Sequence, residues 1–133
     1  NNYKNVLLLP FLPKDDYDAL LSIADVGLIL LDHRFTIPNF PSRITAYMEW
    51  AIPVLAATDI HTDIKDVILN SGCGLWIEST DVKGFARIVE QMSSDAANFM
   101  EMGLKGRKYL ENNYTVSLSY DIIKTISLSM QVW

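Results

Sequence analysis

Pro41, Ser42 and Arg43 stand in a row where a helix begins, and together they suit a bound anion. Proline fits a first helical turn because its missing N–H has no partner there anyway, and serine can accept from the free amides that follow. Those amides, the positive end of the helix dipole and the Arg43 cation all favour a group such as a diphosphate. The same residues also describe an ordinary surface helix start with a solvated arginine, and residue type alone leaves both readings open. Their setting sharpens the first. An apolar run at residues 26–31 precedes them, and Pro53-Val54-Leu55-Ala56 follows the helix almost without a loop. A compact strand, short helix and strand is how open α/β sheets build nucleotide sites at the carboxyl ends of their strands.

Other reactive residues offer less. His33 follows Asp32 at the end of the 26–31 run, where it would face a ligand or simply stand in an exposed loop. His61, beside Thr62 and Asp63, reads as a helix-start residue. Neither has a metal-ligand spacing. Cys73 is the only cysteine, so no internal disulfide can form; without a base partner it reads as a core thiol rather than a nucleophile. Gly72 and Gly74 lack the lysine and hydroxyl residue of a phosphate loop and suit a tight helix-to-strand turn. Trp50 suits either core packing or a partner surface.

The elements that must hold these residues alternate. Continuous apolar runs at residues 6–9, 26–31, 54–57 and 75–77 predict strands. Apolar residues at helical spacing predict helices over 14–24, over a stretch burying Ile44, Tyr47, Met48 and Ala51, and over one carrying Ile64, Val67 and Ile68 that stops at Ser71-Gly72. Three further helices are predicted at about 82–92, 96–112 and 117–130. The expected class is α/β, with a parallel sheet of about four strands flanked by helices. At 133 residues and 50% hydrophobic, the chain suffices for one core but hardly two. A net charge of −5 argues against nucleic acid, which needs a basic face. Apolar runs are far too short for a spanning helix, and no signal-peptide pattern opens the sequence, so a cytoplasmic location is expected.

Three ordered stretches are similar to one family. VLLLPFLPKDDYDALLSIADVGLIL (residues 6–30) resembles a strand, helix and "aDv" strand; PSRITAYMEWAIPVLAA (41–57) resembles "PSKllEYmaaGkPVla"; and MGLKGRKYLENNYT (102–115) resembles the closing "lgekgrkyveenys" helix. All three resemble, in order, segments of the C-terminal, donor-binding half of retaining glycosyltransferases of the GT-B fold, in the large group 1 or family 4 class. The resemblance implies a partial Rossmann-like domain that binds a UDP- or GDP-sugar as substrate, needs no cofactor or metal, and serves polysaccharide or glycolipid synthesis. It implies Phe11 and Leu12 against the nucleobase, the Ser42 and Arg43 amides on the diphosphate, and Asn39 near the sugar.

The family's two glutamates fall on Pro38 and Ala46 here, and its glycine before the Pro-Val strand is Ala51. Glu49, one turn past Ala46, is the weak substitute for the ribose carboxylate, displaced along the helix by about 4.5 Å. The resemblance further implies a truncated domain lacking two strands and the acceptor-binding half. That absent half is the expected partner and the route to any peripheral membrane association, and the open sheet edge would favour self-association. In the family's strand order residues 6–9 would not pair with residues 26–31. With both glutamates replaced, a non-catalytic binding or assembly module stays open beside the transferase. A receiver-like phosphoacceptor at Asp32 with a Thr58 switch is the remote third reading; it lacks the acidic pair and the lysine that receivers need.

Overall fold

Three short apolar runs lie side by side in the computed structural model, which describes residues 3–34 and 40–130. They are β1 (Gly27–Leu30), β2 (Val54–Thr58) and β3 (Gly74–Glu78), all parallel, in the order β1-β2-β3. Register sets Leu28 against Leu55, and Leu55 against Leu75. β2 is buried at every position, as the middle strand of a parallel sheet must be when helices cover both faces.

The helices are α1 (Lys14–Leu21), α2 (Arg43–Glu49), α3 (Ile64–Ser71), α4 (Val82–Ser94), α5 (Ala96–Asn113) and α6 (Val116–Met130). On one face of the sheet, Ile44, Tyr47 and Met48 of α2 and Ile64 and Ile68 of α3 close over Ile29, Val54 and Ala56, with Leu21 of α1 at the border. The opposite face is smaller: Leu55 packs against Met92 and Phe99, with Phe85, Ile88 and Met102 around them. The fold is therefore α/β with a Rossmann-like parallel sheet flanked by helices.

α5 fits against the amino ends of the strands because it carries glycine at two contact points. A side chain at Gly103 would come within 1.9 Å of the Ala51 carbonyl oxygen, and one at Gly106 within 2.7 Å of Cys73 Cβ. Arg107, one residue on, donates from Nη1 to the Glu49 carbonyl and so caps the C-terminus of α2, where the helix dipole favours a cation.

One expected strand is absent. Residues 6–9 form no strand and lie exposed, so the sheet has three strands rather than four. Four apolar residues ending at a proline do not become a strand without a partner ladder, and nothing described pairs with them. Other boundaries moved by one to three residues: α1 ends at Leu21 rather than at residue 24, and β3 spans Gly74–Glu78 rather than 75–77.

Candidate functional site

α2 begins at the carboxyl edge of the sheet, one loop after β1, and ends beside the start of β2. Ser42 and Arg43 are exposed at that beginning. Ser42 does not cap the helix as its type suggested: it sits in a helical conformation (φ −56°, ψ −20°) and its side chain accepts no capping bond. A serine already turned into the helix cannot reach back to the amides ahead of it. Instead the first turn tightens, with Ile44 N donating to Pro41 O (3.0 Å) and Thr45 N to Ser42 O (3.1 Å). The Thr45 hydroxyl donates to the same Ser42 carbonyl at 2.7 Å. This leaves the amides of Ser42 and Arg43 without an acceptor among the described residues. The corner offers two donors and a guanidinium, a narrower cradle than the sequence implied.

Tyr47, one turn after Arg43, fixes α2 against β1. Its ring lies over Gly27, where an added Cβ would sit 2.5 Å from ring atoms, and its hydroxyl donates to Leu28 O at 3.1 Å. Burial raises the phenol's pKa, and the nearby Arg43 cation works against that rise. At the other end of α2 the chain turns through Ala51, which holds a left-handed conformation at φ 54°. That conformation suits glycine and strains any residue with a Cβ, yet it lets Ile52 and Pro53 lead straight into β2.

A second feature opens at the carboxyl ends of all three strands. A cavity of about 470 Å³ is lined there by Leu30 of β1 and Leu31 just after it, Ala57 of β2, and Ser79, Val82 and Phe85 beyond β3. Asp32, Glu78 and Asp81 stand on its rim. Their oxygens are largely engaged already. Asp32 accepts from Arg34 Nε (2.9 Å), Nη2 (2.7 Å) and the Arg34 amide (2.9 Å), which together hold its carboxyl well below the usual range. Asp81 accepts from Gly84 N at 2.8 Å as the cap of α4, and Glu78 accepts from the Thr80 hydroxyl at 3.0 Å. Ser79 Oγ is buried there without a hydrogen-bond partner among the described residues.

The sequence-predicted residues are scattered. Neither Ser42 nor Arg43 lines this cavity. Phe11 is almost wholly exposed and Leu12 half-buried, both in the coil before α1, and neither belongs to a packed cluster. Asn39 and Pro38 lie outside the described residues. Ala46 is half-buried against the core, and Glu49 is the last residue of α2, exposed at the end farthest from Ser42. His33 is exposed, its Nδ1 3.5 Å from Asp32 Oδ1. His61 contributes its amide to Asp59. Trp50 is 41% exposed, which excludes plain core packing. Among the described residues no group of three or more His, Cys, Asp or Glu could hold a metal, and no helix is long and apolar enough to cross a membrane.

Asp59 was not singled out in the sequence and is a buried carboxylate that accepts three hydrogen bonds. It follows β2, is buried, and accepts from Thr62 Oγ1 (2.5 Å), His61 N (2.7 Å) and Thr62 N (3.0 Å). Those bonds, the Thr62 hydroxyl foremost, lower its pKa. The Asp-x-x-Thr spacing ahead of a helix is the signal that could have found it. Its role is to turn the chain from β2 into α3.

The chain matches no protein-family model, no curated protein and no solved structure.

Proposed function

We propose that this chain is the nucleotide-sugar donor-binding part of a glycosyltransferase, taking a UDP- or GDP-sugar for polysaccharide or glycolipid synthesis. One observation carries the reading: an exposed Ser42-Arg43 pair at a helix start, on the carboxyl edge of a parallel sheet, with two amides unpartnered among the described residues and, beside them, the Arg43 cation that also acts on the Tyr47 phenol. The Ala51 corner supports it, because the position that resembles the family's glycine adopts the backbone conformation a glycine would take. In this reading the two amides and Arg43 neutralise the departing diphosphate as the glycosidic bond to it breaks, through preorganised donors rather than a resident metal.

Titration calorimetry with UDP and GDP tests it. Binding with a Kd on the order of 0.1–1 mM is expected, weakened at least tenfold in Arg43→Glu and unchanged in Arg87→Glu, which alters an exposed arginine of α4. Equal binding by both variants would remove Arg43 from the site. A second reading, a non-catalytic binding or assembly module, is favoured by one fact: the middle of α2 presents the half-buried Ala46 where a carboxylate would be needed, and Glu49 lies a turn away at the far end. Absence of nucleotide binding would decide for that module.

A further inference from the structure

On one face of the sheet the edge strand β1 has no helix over it, and α6 has no sheet under it. In β1 burial alternates: Gly27 and Ile29 lie under α2, while Leu28 and Leu30 emerge 43% and 60% exposed on the face shared with α4. Parallel sheets are covered on both faces, so this is an unfinished surface. α4 covers only β2 and β3 there; its exposed Val82 lines the cavity with Leu30, and Val89, also exposed, lies two turns on along the same side of the helix. The cavity between Leu30, Ala57, Val82 and Phe85 is the floor of this groove.

α6 is the complementary piece. Val116, Ile122, Ile123 and Ile126 are each at least half exposed, and with Leu118 they occupy one broad arc of the helix. Asp121 and Lys124, its only charged residues, fall on the opposite side. No residue of α6 from Val116 to residue 129 is buried. It cannot cover β1 of its own chain. α5 delivers Tyr114 against Phe40 (ring centroids 6.2 Å apart), just ahead of α2 and therefore on the closed face of the sheet. Only Thr115 then separates Tyr114 from α6, far too short a link to pass around the sheet to the other face.

We infer that two copies of this chain pair, the α6 of each lying in the groove between β1 and α4 of the other. Area supports a second copy. Burying one whole aliphatic side chain removes roughly 60–120 Å² of apolar surface, so the exposed fractions offer roughly 170–350 Å² on α6 and roughly 130–270 Å² in the groove. Two reciprocal contacts then bury roughly 600–1,200 Å² of apolar surface, about 1,000–2,100 Å² in all at the usual apolar share of about 57%, which reaches the class of specific interfaces. Charge argues against the other obvious occupant, an anionic membrane: α6 carries one lysine and one aspartate, and the chain is net −5. This inference goes beyond the donor reading and does not rest on it.

Light scattering on the 133-residue chain at about 100 µM, a concentration at which an interface of this size should be occupied, is expected to give twice the monomer mass. The double variant Ile122→Asp/Ile126→Asp should give monomer mass with an unchanged circular-dichroism spectrum, since α6 is outside both cores. A mixture of Ile126→Cys and Val89→Cys chains should form the mixed disulfide under mild oxidation. Monomeric wild-type protein, a dimer that persists in the double variant, or a monomer that floats with anionic vesicles would each overturn the pairing.

Discussion

The two faces of one three-stranded sheet have opposite fates. On the α2–α3 face, Ile44, Met48, Val54, Ala56, Ile64 and Ile68 are sealed. On the α4 face the seal reaches β2 and β3 and stops, leaving Leu28 and Leu30 of β1 in the open. Similar strand chemistry thus produces a core on one side and an open apolar edge on the other. What differs is the helix supply. α2 and α3 are crossovers between adjacent strands and are forced to lie on one face; α4 and the first turns of α5 serve the other and stop short of β1.

The sharpest way to break this contrast is to cut the same kind of side chain on each side. Met48→Ala, in the sealed face, should cost about 2–5 kcal/mol, because the site cannot refill the lost volume. Urea denaturation reads this directly. A loss below about 1 kcal/mol would mean that the α2 face is loosely packed.

Asp59 comes next in size. Removing its three accepted bonds in Asp59→Ala should cost about 1–2 kcal/mol at neutral pH. Its pH dependence has a fixed sign. The folded-state pKa is depressed, so the stabilisation is complete above the unfolded carboxylate's pKa of about 4 and disappears as the pH falls through the lower folded value. The gap between wild type and Asp59→Ala, measured by denaturation, should therefore narrow from pH 7 to pH 3. A constant gap would assign the loss to packing rather than to the carboxylate.

Ala51→Gly should move the other way. Relief of the left-handed strain, offset by the greater freedom of unfolded glycine, leaves a gain of up to about 1 kcal/mol, seen as a rise in Tm. The smallest effect is expected on the open face. Leu30→Ala in monomeric protein (the Ile122→Asp/Ile126→Asp background) should change stability by less than about 0.5 kcal/mol, because a side chain 60% exposed has little burial to lose.

Most of the fold was legible because its signals are local. Pro53-Val54-Leu55-Ala56 reads as a buried strand from composition alone, and Ser71-Gly72 stops α3 with Gly72 at φ 63°, as a helix-ending glycine should. The failure at residues 6–9 has the opposite cause. A strand is defined by its neighbours, and apolarity without a ladder leaves an exposed coil. The site was less legible. Ser42 carries the right type for a cap, but the tight turn from Pro41 rotated it into the helix. The bonds from Arg107 to Glu49 O and from Tyr47 to Leu28 O link residues 58 and 19 positions apart, and no spacing rule announces such pairs. The cavity likewise joins the ends of three strands that only the register brings together.

The diphosphate corner is tested most directly by a ¹H–¹⁵N NMR titration with UDP and GDP. The donor reading predicts saturable shifts concentrated on the amides of Ser42, Arg43 and Ile44, absent in Arg43→Glu. Shifts confined to the β1–α4 groove, or none at all at about 10 mM nucleotide, beyond the weakest useful affinity, would contradict it.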